Sequence, residues 1–160
     1  MSAATDTLRF RQVMGHFATG VAIVTCKGPE GPTGLTTNAI TSVSLEPLLL
    51  LVCFDNGSRT LPAVRAVQRF AVNVLRAGQE DLAQVFASKR VAREKFEAVT
   101  HMEAHGVPVL DGALAWLACD LAALHPAGDH TIGIGAITHM DADPDGAPLV
   151  WFRGDYRTFS

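Results

Sequence analysis

Hydrophobic positions change period several times along this chain, and each change marks an element boundary. Phe10, Val13, Met14 and Phe17 recur at helical spacing, which predicts a helix over residues 8–17, capped by Asp6 or Thr7 and stopped by Gly20. Residues 21–26 form a β-branched apolar run that predicts a buried strand. The cluster Gly28-Pro29-Glu30-Gly31-Pro32 predicts a turn, so residues 34–41 return as the second arm of a hairpin. Residues 48–54, approached through Pro47, are continuously apolar and of strand length. Asp55-Asn56-Gly57-Ser58 signals a loop, and a short helix follows at residues 61–67.

Residues 70–75 again read as a strand. Leu82, Val85 and Phe86 mark an amphipathic helix after Gln79, with residues 89–95 as its solvated continuation. Over residues 113–124 the pattern is ambiguous: Leu114, Leu117, Ala118, Leu121 and Leu124 fit a helix, and alanine favours one. Residues 132–137 and 148–152 are two more strands, separated by the turn-rich stretch 141–146. Six or seven strands with two or three short helices, and no regular βαβ alternation, predict a mainly β antiparallel barrel. No repeat or linker divides the chain, so residues 1–160 are expected to form a single domain.

Composition narrows the class. Hydrophobic residues are 48% of the chain and charged residues 18%, which excludes disorder and leaves an apolar excess that an oligomer would hide. The net charge of -3, with no basic cluster in the sequence, argues against nucleic acid or an anionic membrane as partner. No basic stretch followed by an apolar core opens the chain, and the apolar run 48–54 is far too short to span a bilayer. Cys26, Cys53 and Cys119 are odd in number and set among aliphatic residues, so they read as buried reduced thiols of a cytoplasmic protein.

Several chemistries are missing. Gly133-Ile134-Gly135 lacks the third glycine of a dinucleotide fingerprint, and neither a phosphate-cradling loop nor a nucleophile elbow is present. His101 and His105 stand four apart but lack a further ligand, and Gly106-Val107-Pro108 interrupts any helix there, so they read as exposed loop histidines. Two segments stand out. Residues 36–44 are dense in small hydroxyl and amide side chains: a polar-faced strand, or a surface offering neutral donors to a flat heteroaromatic ring such as a flavin. Ser58-Arg59-Thr60 then offers hydroxyls and a guanidinium to a phosphate. In Gly128-Asp129-His130 a sharp turn carries an aspartate able to orient the neighbouring imidazole.

In order and spacing these segments resemble the flavin reductase-like family, the reductase components of two-component flavin-dependent monooxygenases. The resemblance runs from Arg11 to Tyr156. It rests on Val13-Met14-Gly15-His16-Phe17-Ala18-Thr19-Gly20-Val21, Gly34-Leu35-Thr36-Thr37-Asn38 and Ser42-Val43-Ser44-Leu45-Glu46-Pro47. It continues in Phe70-Ala71-Val72-Asn73-Val74-Leu75, Phe86-Ala87, Gly128-Asp129-His130 and Phe152-Arg153-Gly154-x-Tyr156. It implies an FMN-binding split β-barrel, homodimeric, and it turns the ambiguous 113–124 stretch into a barrel strand.

Carried over, Thr36, Thr37, Asn38, Ser42, Val43 and Ser44 would line the flavin ring, where Ala39 replaces a frequent serine. Asp55, Ser58, Arg59 and Thr60 would flank the phosphate, with Phe86, Ala87 and Ser88 closing it. His130, oriented by Asp129 and assisted by Tyr156 and Arg157, would position the nicotinamide without acting as acid or base. The implied activity is reduction of FMN or FAD by NADH, with a monooxygenase receiving the reduced flavin. NADPH is disfavoured because no arginine cluster is seen for its extra phosphate. Two rivals share the barrel: a pyridoxamine-phosphate-oxidase-like FMN enzyme, which needs several basic residues, and a non-catalytic flavin- or haem-binding module.

Overall fold

The computed structural model describes residues 2–159. Helix α1 (Ala3–Met14) begins where the Ser2 hydroxyl accepts the Thr5 amide, five residues before the predicted start, and ends at Gly15. Ser2, not Asp6 or Thr7, is the cap, because helix-favouring Ala3 and Ala4 extend the helix back to the first available side-chain acceptor. No α1 residue is buried.

The strands that follow are β1 (Thr19–Gly20), β2 (Ala22–Gly28), β3 (Gly31–Thr37), β4 (Ile40–Leu45) and β5 (Leu48–Asp55). The single strand predicted over 34–41 is therefore two. Its polar character breaks it: the Thr37 hydroxyl accepts the Ala39 amide at 3.0 Å, which replaces a ladder bond with a local turn. Then come α2 (Thr60–Val67), β6 (Arg69–Val74), α3 (Glu80–Ala87) and α4 (Ala92–Glu97). Residues 89–95 do not continue α3. Ser88 is extended (ψ 167°), its hydroxyl donates to the Val85 carbonyl at 2.6 Å, and a separate helix starts at Ala92.

The chain ends in β7 (His101–Ala104), β8 (Val107–Leu110), β9 (Ala115–Ala127), β10 (His130–Ala142), β11 (Leu149–Phe152) and β12 (Asp155–Thr158). Residues 113–124, helical by pattern, lie largely in β9, which pairs with β6 on one side and β10 on the other. Alanine's helix preference is worth only tenths of a kcal/mol per residue over most others, roughly 0 to 0.7. Strands on both sides pair with β9 over Ala115–Asp120 and bury Ala118 and Cys119, and that decides the outcome.

Seven strands form one antiparallel sheet in the order β3-β2-β6-β9-β10-β5-β4, with β3 and β4 at its edges. A β1-β11-β12 sheet and a β7-β8 ribbon complete a mainly β architecture. Val24, Val52, Phe54, Val64, Phe70 and Val72 form the main core, where Phe54 and Phe70 meet edge to face at 5.8 Å. The glycines of the failed dinucleotide motif belong to this packing: a Cβ on Gly133 would lie 2.7 Å from Phe54, and one on Gly135 2.7 Å from Phe70. Buried Asn73 ties β6 to its neighbours, donating to Ile23 O and Thr25 Oγ1 at 3.0 Å and accepting the Leu110 amide at 2.9 Å.

Cys26 and Cys119 are buried and free, and Cys53 is free but only half-buried. On the face of β5 and β10 away from the core, Leu49, Leu51, Ile132 and Ile134 stay half-buried, beside exposed Val43 and Leu45. Among the described residues no helix is long and apolar enough to cross a membrane.

Candidate functional site

A cleft of about 470 Å³ opens between β3, the β5–α2 loop and the α3–α4 connection. The loop is shaped by its own sequence. Asp55 Oδ1 accepts the Gly57 amide at 2.7 Å, the Ser58 amide donates to the Asp55 carbonyl at 3.0 Å, and Ser58 Oγ accepts the Leu61 amide at 3.2 Å. These bonds set Ser58, Arg59 and Thr60 at the N-terminus of α2, an end that favours anions. The Thr60 hydroxyl is buried against that of Thr33 at 3.1 Å, which leaves it little freedom to serve a ligand.

Across the cleft, Ser88 ends α3, and its hydroxyl oxygen accepts the Arg90 amide at 3.3 Å, so Lys89 and Arg90 turn toward the opening. Lys95 reaches back from α4: its Nζ donates to Phe86 O at 3.0 Å and Gly34 O at 3.4 Å. Burial, and then the Arg59 guanidinium, hold the Lys95 ammonium below the ordinary lysine pKa. Among the described residues, Arg59, Lys89, Arg90 and Lys95 form no ion pair with a carboxylate. With Asp55 as the one carboxylate lining the cleft, these four cations give it an excess of positive charge that suits an anion. Arg59 stands far from the other three in sequence, but Lys89, Arg90 and Lys95 fall with Arg93 inside seven residues, a basic group that reads locally as the solvated end of a helix.

Thr36 and Ala87 also line a second chamber of about 210 Å³, whose walls include Thr37, Asn38, Trp151 and Tyr156. Trp151 and Tyr156 meet edge to face at 4.9 Å, and burial pushes the Tyr156 phenol up. Trp151 escaped the sequence reading, although it immediately precedes the Phe152-Arg153-Gly154-x-Tyr156 motif. The hydroxyls here are partly committed: Thr36 donates to Ala83 O at 2.6 Å, and Thr37 serves the Ala39 amide. Phe86 and Ser88 lie with Ala87 along the wall of the cleft.

Other expected residues lie outside both chambers. Ala39 sits at the β3–β4 corner, and Ser42, Val43 and Ser44 run along the edge strand β4, where the register shifts between Ser42 and Ser44. Arg157 extends toward Asp155 at 3.8 Å on β12. His130 opens β10 opposite Asp55 of β5, which puts the histidine turn beside the loop at the cationic end. Its Nδ1 is 2.8 Å from Asp129 Oδ1, and this hydrogen bond holds the Asp129 carboxyl below the ordinary range. Among the described residues no group of three or more His, Cys, Asp or Glu is placed to hold a metal.

The two chambers together suit an elongated ligand with an anionic end and a flat, largely apolar end. Comparison with known proteins gives that shape a context. Residues 14–160 match the family described as flavin reductase like domain. The chain is 36% identical over 159 residues to the reductase subunit HsaB of a flavin-dependent monooxygenase from Mycobacterium tuberculosis, covering 98% of this chain and 84% of that one. It is 38% identical over 154 residues to an NADH-dependent flavin reductase from a Rhodococcus species, covering 94% and 85% of the two chains. Among solved structures, the NADH:FAD oxidoreductase SgcE6 of Streptomyces globisporus C-1027, in complex with NAD and FAD fragments, superposes with a TM-score of 0.92 at 36% identity, over all of this chain and 96% of that one.

Proposed function

The chain belongs to the flavin reductase-like family, and from that premise we propose that it is an NADH-dependent flavin reductase which reduces FMN or FAD and passes the reduced flavin to a partner monooxygenase. One observation carries the assignment to this groove: four unpaired cations at one end and the Asn38, Trp151 and Tyr156 chamber at the other. The donor chemistry fits a flavin nucleotide. Arg59, Lys89, Arg90 and Lys95 would hold the phosphate, with Ser58 and the α2 N-terminus beside them. Thr36, Thr37, Asn38 and Ala87, with Val21, Trp151 and Tyr156, would enclose the ring.

A bound flavin supplies the acceptor for the hydride of NADH. The chain's own part is alignment and exclusion of water. His130, held by Asp129, lies outside both chambers at the cationic end, and its assigned part is to meet the nicotinamide amide as a hydrogen-bond partner as NADH enters from that side. Hydride transfer moves no separate proton, so the imidazole has no obligatory acid–base task.

The protein would work as a homodimer of split barrels in the cytoplasm. Support for the dimer is an unusual amount of uncovered apolar surface. Leu8, Phe10, Val13, Met14 and Phe17 on and after α1 are all exposed, and the outer face of β4, β5 and β10 is apolar too. A second copy covers both. Three free cysteines suit a reducing compartment.

The test is loss of NADH absorbance in the near ultraviolet when purified protein, NADH and free FMN or FAD are mixed. Rapid loss that depends on flavin is expected. No loss with either flavin would overturn the assignment.

A further inference from the structure

Asn56 grips the histidine turn at three points. Its main-chain N–H donates to Asp129 O at 3.0 Å, its Nδ2 donates to Gly128 O at 3.3 Å, and its Oδ1 accepts the Thr131 hydroxyl at 2.6 Å. The residues on both sides of His130 are thus held by one asparagine. An asparagine that merely shapes a turn bonds to its own loop. The side-chain partners of Asn56 lie 72 and 75 residues away in sequence.

What stands on the other side of Asn56 gives these bonds a purpose. Asp55 faces His130 across the β5–β10 ladder and organises Gly57 and Ser58. Arg59 follows and opens the cationic cleft. The chain therefore runs from anion-binding groups to the imidazole's backbone through a single residue with all of these polar groups engaged.

We infer that Asn56 is a positioning residue, which fixes the His130 turn to the phosphate-side loop so that occupancy of the cationic cleft sets the placement of the imidazole. The inference rests on the proposed reductase function.

The test combines kinetics with a measurement that needs no turnover. Asn56→Ala slows hydride transfer at saturating NADH about tenfold, as befits the loss of two side-chain hydrogen bonds, one exposed and one half-buried, while flavin affinity changes far less. In a His130→Ala background the same change adds no further loss, because Asn56 acts through that imidazole. In flavin-free protein, inorganic pyrophosphate slows amide hydrogen exchange across residues 128–131 in the parent and not in Asn56→Ala. Thr131→Val, which removes one bond and keeps the side-chain shape, shifts both readouts in the same direction and carries the test should Asn56→Ala fail to fold.

Losses that multiply in the double variant, or exchange that pyrophosphate leaves unchanged in the parent, would overturn the inference while leaving the reductase intact. Parental rates in His130→Ala would instead remove the assigned role of His130, and the inference with it.

Discussion

Lys95 Nζ lies 3.0 Å from the Phe86 carbonyl, so an ammonium from α4 closes the C-terminal end of α3 inside the anion cleft. The arrangement serves two physical ends at once. A cation satisfies helix carbonyls that lack intrahelical partners, and it points charge at a ligand phosphate.

Lys95→Met is expected to weaken FMN binding about tenfold or more, the size of a lost charge-assisted bond, while riboflavin, which has no phosphate, binds as before. Paired fluorescence titrations with the two ligands check it. The pH dependence follows from the lowered ammonium pKa. Lysine loses its charge as pH rises, and here it does so below the ordinary range. FMN affinity should therefore fall on the alkaline side earlier than a free lysine would dictate, and Lys95→Met should flatten that limb.

His130→Ala should slow flavin reduction by about tenfold to a hundredfold in stopped-flow, with flavin affinity nearly unchanged, since its loss misplaces the reactant and not the flavin. Asp129→Asn should move the same rate in the same direction, because the amide keeps the size but not the charge that orients Nδ1. The Asp129 pKa is depressed in the folded protein, so its carboxylate is ionised throughout the neutral range. The bond to His130 contributes above the ordinary carboxylate pKa and is lost as pH falls through the lowered value. A slowing of reduction confined to strongly acid conditions in the parent, and absent in Asp129→Asn, is the corresponding signature.

Gly133→Ala puts a methyl 2.7 Å from the Phe54 ring. Overpacking of this kind costs about 1–3 kcal/mol, which denaturant midpoints at unchanged slope would register. Flavin affinity should hold, because Gly133 belongs to the core and touches neither chamber. A variant as stable as the parent would mean that Phe54 can move aside freely.

Burial pushes the thiols of Cys26 and Cys119 up to about 12, Asp120 adding to the effect at Cys119. Near neutral pH almost no thiolate forms at either position. Iodoacetamide should label neither in the native protein and both after unfolding, as peptide mass spectrometry would show. Native labelling of Cys119 would indicate that β9 opens readily.

Local chemistry was enough to find much of this molecule in its sequence. The β-branched run at β2, the apolar run at β5, the turn at 28–32 and the short helix before Val67 follow from side-chain period and turn residues, which act within a few positions. The same locality exposed Ser58-Arg59-Thr60, Thr36-Thr37-Asn38 and the histidine turn, where polar groups interrupt apolar surroundings. Tertiary structure decided the rest. Residues 113–124 carry an ambiguous pattern that leans to a helix, but from residue 115 to 120 the chain is paired on both sides, by β6 and β10, and no local preference can anticipate those neighbours. Arg59 meets Lys89, Arg90 and Lys95 only because β3 lies between α2 and the α3–α4 connection, and convergence across a fold leaves no period in a sequence. Asn56 reads as an ordinary loop residue until β10 is laid beside β5, and then its bonds to Gly128 and Thr131 exist. Hydrogen bonding and charge act over a few ångströms in space, whereas sequence records only separation along the chain.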